Sequence, residues 1–313
     1  MNDLYSLSQL IKNHPLYTVH RDAIHQLYLR LGRAQELTAD VLLCELKELL
    51  PELCEALQKN HALFKKHCEE SLKLKMQGIQ LVVYGEDLFP AACYWMSEPP
   101  LTLSYWGSPA WLTQRTLAVV GSREPCFDSI QWMEKEFTTF CDQEKPCVVS
   151  GGARGVDQKS HSIALRKSAS TVIVLPSGLG QLYPESLYEW KDSVLNGGGC
   201  FLSEYVFEQR MHKHLFHHRN RLIAALGKAT LLVEAKRRSG TLITAQQALQ
   251  LGRSLWVVPG HPQDPHFLGS LDLLAEGAGL VRDAQDLSMY FRAELSGENM
   301  SPVGIADLSK VSH

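Results

Sequence analysis

The sequence predicts an α/β fold: an extended Rossmann-like, mostly parallel sheet with helices on both faces, preceded by a small all-helical domain. Three observations predict it. Short β-branched runs (LAVVG, CVVSG, TVIVLP, GCFLSE, ATLLVEA, SLWVVPG) recur through residues 117–260. Amphipathic segments of helix length, such as 129–141, 158–167 and 242–251, alternate with them. The first 78 residues instead carry Leu42, Leu46, Leu49 and Leu53 at helical spacing among Lys, Glu and His. Alternating strand and helix implies βαβ units, a sheet buried on both faces, and ligand binding at the C-terminal ends of the strands.

Taken in order, residues 1–78 form the helical domain, and Met76-Gln77-Gly78 breaks it before the strand-like IQLVVYG. Residues 79–116 are a connecting arm leading into the core, packed by Trp95, Tyr105, Trp106 and Trp111. Residues 117–284 make the Rossmann-like domain, and 285–313 a short tail in which a winged helix has no room.

The chain has 313 residues and a net charge of −3, so any contact with nucleic acid comes from a local patch and not from the overall field. Its eight cysteines show no CxxC and no metal spacing, which suits reduced thiols in a cytoplasmic protein. No basic segment followed by an apolar one opens the chain, and no apolar run reaches the roughly 18 residues of a membrane span.

Three strand-to-helix turns carry the chemistry. Gly121-Ser122-Arg123 closes the first run of the core: the glycine permits a tight turn, the serine offers a hydroxyl and the arginine a fork for phosphate. A tight turn with a solvated arginine reads the same way. Ser150-Gly151-Gly152-Ala153-Arg154 leads into a helix starting near Asp157 or Gln158, and successive N–H groups of such a loop make an anion-binding concavity. Asp157 caps that helix or ties the loop. Neither a Walker loop nor GxGxxG is present, which disfavours a nucleotide triphosphatase or a dinucleotide enzyme, and no cofactor is expected. Ser239-Gly240-Thr241, with Thr244 one turn on, either binds phosphate or caps its helix, and the basic triplet Lys236-Arg237-Arg238 before it reads as a solvated edge or as a contact.

Positive charge concentrates between Ser203 and Gly240, with eight Lys or Arg against three acids. Within it, RMHKHLFHHRNR brings Lys213, Arg219, Asn220 and Arg221 around Phe216. Cations interleaved with an aromatic fit single-stranded nucleic acid, in which phosphates follow the cations and a base stacks on the ring. Phe216 reads equally as a core anchor. His212, His214, His217 and His218 fall in a loop before a helix without Cys or carboxylate partners, so no metal site is expected.

Jointly, GSREP, SGGARGVDQKSH, Tyr183-Pro184, SEY, FHHRNRLIAAL, LVEA, RSGTLITAQQAL, GRSLWVVPG and GSLDLLAEGA resemble the DNA-processing protein A family (DprA, also called Smf), in the family's order. The resemblance implies a homodimeric single-stranded DNA-binding protein without catalysis that protects incoming DNA and loads the recombinase RecA during natural transformation. It implies DNA contacts at Arg123, at Ser150 through Arg154, at Lys213 and Phe216, and at Arg219-Asn220-Arg221. The chain departs from the family pattern at Gly152, Pro176, Gly180, Leu187 and Leu271, and in the loop VFEQRMHKH. The alternative is a nucleotide phosphoribohydrolase of the LOG type, whose PGGxGTxxE signature has its nearest counterpart in RSGTLIT, without the glutamate.

Overall fold

A computed structural model describes residues 2–59, 61–112 and 115–297. Five helices come first: α1 (Asn2–Lys12), α2 (Pro15–Arg33), α3 (Ala39–Leu49), α4 (Pro51–Lys59) and α5 (His61–Met76). Their boundaries reflect local chemistry. His14 accepts from the Leu16 N–H ahead of Pro15 at the start of α2, and Thr38 accepts from the Val41 N–H at the start of α3.

The strands are β1 (Ile79–Val83), β2 (Thr102–Gly107), β3 (Thr116–Val120), β4 (Cys147–Ser150), β5 (Thr171–Val174), β6 (Cys200–Ser203), β7 (Ala229–Leu232), β8 (Ser254–Val257) and β9 (Gly279–Leu280). Between them run α6 (Phe127–Trp132), continued by a π turn into α7 (Thr138–Glu144), then α8 (Val156–Arg166), α9 (Leu187–Asn196), α10 (Lys213–Leu226), α11 (Gly240–Gln250), α12 (Leu268–Ala275) and α13 (Ala284–Ser296). All nine strands form one sheet in the order β1-β2-β6-β5-β4-β3-β7-β8-β9. From β6 to β9 every pairing is parallel, while β1 and β2 extend the sheet in antiparallel fashion.

Every residue of β3, β4, β5, β6 and β7 is buried, because both faces are covered. Alternation survives in which core each residue joins. Ala118 and Val120 pack with the helical segment and α10, through Ile24, Tyr28, Leu42, Leu222 and Ile223. Leu117 and Val119 face the opposite layer of Phe137, Phe140, Ile163 and Phe291. The N-terminal helices thus share an apolar cluster with the sheet.

Three segments differ from the sequence expectation. The arm supplies two strands of the sheet, and although Tyr105 and Trp111 pack edge to face at 4.8 Å, Trp95 is 81% exposed. Residues 285–296 of the expected tail belong to α13, whose Phe291 meets Phe140 at 5.3 Å between ring centres; the rest of that tail, 298–313, lies outside the described residues. His214, His217 and His218 lie on α10 and not in a loop. The run Lys-His-Leu-Phe-His-His interrupts apolar periodicity, yet Leu215, Leu222 and Ile223 bury one stripe of the helix.

No helix among the described residues is long and apolar enough to cross a membrane.

Candidate nucleic-acid interface

Strand order reverses at β3. The chain steps from β3 through β6 toward one edge, then returns to β7 at the other side of β3, so the loops after these two strands part and leave a crevice. A cleft of about 720 Å³ lies there, lined by the loop after β3, by Ala153 and Asp157, by one face of α10 and by the start of α11.

The loops are stitched to one another. Gly121 sits where a Cβ would meet the Val156 side chain, and Gly155, at φ +83°, packs against the Ser122 and Arg123 backbone. The Ser122 carbonyl accepts from the Val156 N–H at 3.1 Å, and the Thr241 hydroxyl donates to the Gly121 carbonyl at 2.9 Å. Arg123 is thereby held at the mouth on a fixed backbone while its side chain stays exposed. Its guanidinium carbon lies 4.8 Å from the centre of the Phe216 ring, within cation–π range.

On α10, Lys213, Phe216, Arg219, Asn220 and Ile223 recur at three- and four-residue spacing and line the cleft together. Phe216 is half-buried, with Tyr183 edge-on at 5.8 Å and the Arg219 guanidinium carbon at 6.0 Å. Both α10 and α11 begin at the cleft, which adds the positive ends of two helices to its cations.

Arg219 forms the floor. Only 2% exposed, it donates through Nη1 to the Val174 carbonyl at 2.7 Å, while its Nε has no hydrogen-bond partner. Burial lowers its pKa to about 10, which leaves it protonated near neutral pH. Gly151 makes room for it, since a Cβ at that position would overlap the guanidinium.

The glycine loop itself is arranged differently from the expected anion nest. One Asp157 carboxylate oxygen accepts from the Gly151 and Ala153 N–H groups, at 3.2 and 3.3 Å, so the chain's own carboxylate occupies the concavity. Asp157 thus ties the loop. Burial pushes its carboxyl up, opposed by Arg219 and the two N–H groups. Ser150 donates to the Val119 carbonyl at 2.6 Å, and Gly152, at φ +69°, packs on Ile173 and Leu187. Of Ser150, Gly151, Gly152, Ala153 and Arg154, only Ala153 lines the cleft; Arg154 is exposed beside it.

Arg221 is not brought to the cleft. It is buried, bonded through Nη2 to Glu204 and through Nε to His218, on the opposite side of α10 from Phe216. Ser239, Gly240 and Thr244 line the cleft as expected in position. Ser239 occupies the N-cap position of α11 without capping it, and its buried hydroxyl has no partner. Of the basic triplet, Lys236 lines the cleft, Arg237 pairs with Asp272 at 2.7 Å, and Arg238 is exposed. Thr241 lines the cleft with Ser239, Gly240 and Thr244, and Tyr183 belongs to the site although the motifs did not single it out for it; the Tyr-Pro turn was the available signal. Among the described residues no cluster of His, Cys, Asp or Glu could hold a metal.

A mostly parallel, doubly wound sheet with a crevice at its switch point, ringed by cations, an aromatic wall and two helix starts, defines a protein of the Rossmann-like class with a candidate anion-binding cleft. Residues 80–292 match the family described as DNA recombination-mediator protein A, and the chain belongs to that family. It is 31% identical over 215 residues to the DNA processing protein DprA of Bacillus subtilis, covering 67% of this chain and 71% of that one. It is 34% identical over 206 residues to DprA of Streptococcus pneumoniae, covering 66% and 72%. Among solved structures, S. pneumoniae DprA superposes with a TM-score of 0.70 at 27% identity, covering 92% of this chain and 96% of that one. DNA processing protein A of Helicobacter pylori, whose structure was described for its single-stranded DNA binding mode, gives a TM-score of 0.61 at 26% identity, covering 69% and 96%.

Proposed function

We propose that this protein binds single-stranded DNA without hydrolysing it and acts as a recombination mediator, protecting incoming strands and loading RecA during natural transformation in the cytoplasm. The observation that carries the reading is the convergence of Arg123, Lys213, Arg219 and Asn220 around the half-buried Phe216 ring. Cations follow a phosphate track, and an aromatic face accepts any base, so affinity with little sequence preference is the natural outcome. Ser122, Ser239, Gly240 and Thr244 add hydroxyl and N–H donors on the same wall. Asp157 and Glu124 are the acids of the lining; Asp157 is engaged by its own loop, and Glu124 is exposed, which gives neither the setting of a buried general base. The likeness to the H. pylori protein supports the same ligand.

We also propose a homodimer, formed through the half-buried apolar surface of residues 268–280. Light scattering that shows only monomer across the micromolar range overturns that part alone. The reading as a whole is tested by titrating the protein with a single-stranded oligonucleotide, the matched duplex and AMP, following both retention and product. Preference for the single strand with no turnover supports it; equal affinity for duplex, or hydrolysis of AMP that tracks the protein, refutes it. Stimulation of RecA-driven strand exchange on protected single strands tests the loading step.

A further inference from the structure

Behind the cleft, α10 carries a second polar face. A helix turns about 100° per residue, so His218 and Arg221 share the side opposite Phe216 and Asn220. Both meet Glu204, the residue following β6, whose side chain is 3% exposed. Arg221 Nη2 bonds Glu204 Oε2, and His218 Nδ1 lies 3.7 Å from the same oxygen. The other carboxylate oxygen faces the N-terminal helices. Lys12, the last residue of α1, places its ammonium 3.0 Å from Glu204 Oε1 and donates to the Glu204 carbonyl, also at 3.0 Å. A second strut runs from α2: Arg21 pairs with Glu98 at 3.1 Å, and Glu98 lies 3.9 Å from His218 Nε2. Burial alone would raise the Glu204 carboxyl, but Arg221, Lys12 and His218 outweigh it and hold the pKa at about 2. The carboxylate is thus a fixed buried charge shared between the helical segment and the helix that lines the cleft.

We propose that Lys12 and Glu204 are positioning residues for the DNA-binding face of α10, so that the N-terminal helical segment sets single-strand affinity without touching the strand. This rests on the single-stranded DNA reading given above. The geometry offers little tolerance: a shift of α10 by one residue turns its faces by about 100°, which carries Phe216 off the cleft and Arg221 off Glu204 together. Leu222 and Ile223 hold one stripe of the helix in the core, and the buried ion pair fixes the register of the opposite, polar face. Lys12 ties α1 directly to this carboxylate, and it stands outside the cleft lining, so its loss removes no ligand group.

The test uses Lys12→Met and Lys12→Arg in the full chain, with two readouts. Hydrogen exchange of the α10 amides is followed in the protein without DNA, and affinity for a single-stranded oligonucleotide is followed across a salt series. The expected result for Lys12→Met is faster exchange confined to residues 213–221 and binding weakened about fivefold, the size of effect that a coupling residue exerts. The slope of log K against log salt stays that of the parent, because no phosphate contact is lost, and Lys12→Arg restores both readouts. Unchanged exchange in α10 overturns the proposal, whatever the affinity. So does a slope lowered by about 0.7, which marks a direct phosphate contact, and so does faster exchange spread through the whole chain, which marks a general loss of stability. Failure of the parent to bind the oligonucleotide refutes the DNA reading, while the exchange measurement still decides whether Lys12 positions α10.

Discussion

Replacing Gly151 by alanine is the sharpest probe of how the cleft floor is built. A Cβ at this position overlaps three atoms of the Arg219 guanidinium, so the arginine must leave its place or the loop must move. If Arg219 moves, its hydrogen bond to the Val174 carbonyl is broken, at a cost of about 1.5–3 kcal/mol for a charged donor. Overpacking adds about 1–3 kcal/mol, and Asp157 loses part of the countercharge that opposes its burial. The expected destabilisation is therefore about 3–6 kcal/mol, and single-strand binding falls in the molecules that stay folded because a floor cation is displaced. Urea unfolding and fluorescence anisotropy measure the two effects. A double-mutant cycle isolates the cause: once Arg219→Ala has removed the guanidinium, adding the Cβ at Gly151 costs little, so the two substitutions are strongly non-additive. Additive losses, or a Gly151→Ala protein as stable as its parent, would show that the glycine serves the loop's own turn and not Arg219.

Arg123→Ala and Lys213→Ala are each expected to weaken single-strand binding and to lower the salt slope by about 0.7 per lost phosphate contact, with thermal stability unchanged; parent-like salt series for both would remove these residues from the phosphate track. Arg221→Ala is expected to behave in the opposite way, destabilising the fold by about 3 kcal/mol because Glu204 keeps its buried charge, while the salt slope stays that of the parent; a lowered slope with normal stability would return Arg221 to the DNA. Stability is also expected to fall in mild acid. Burial holds His25 at about 4, and burial with Arg219 nearby holds His161 at about 3, against 6.5 for either in the unfolded chain. Both are depressed, so their contribution is complete above about pH 6.5 and drains as pH falls toward about 4, by about 1.4 kcal/mol per unit for each residue. Urea midpoints at about pH 7, 6 and 5 check this, and a flat series refutes it.

The six core runs were readable as strands because a strand buried on both faces must be apolar without interruption, and the sequence can satisfy that only with runs such as LAVV and CVVS. The strand β2 hid behind polar residues. Thr102 and Ser104 are fully or nearly buried in it, and Thr102 is satisfied by the Gln9 amide at 2.6 Å, a partner 93 residues away that local pattern does not reveal. The glycine loop was legible as a row of N–H donors, but whether such a row faces a ligand or a side chain depends on tertiary placement, and here Asp157 takes it.

The basic cluster shows the same limit at closer range. A count of cations treats Arg219 and Arg221 alike, and a loop would leave both of them to follow a phosphate track. Once the segment is a helix, residues two positions apart point about 200° away from each other, and one arginine must face the cleft while the other faces Glu204. The same turn decides the rest: Lys213 and Asn220 fall on the side of Phe216, and His218 falls with Arg221. Arg237 is likewise committed to Asp272. The positive excess of the region is therefore larger than the charge offered to a ligand. The cations that do line the cleft are Arg123 after β3, Lys213 and Arg219 on α10, and Lys236 after β7, and only the reversal of strand order at β3 brings these separate stretches of chain together.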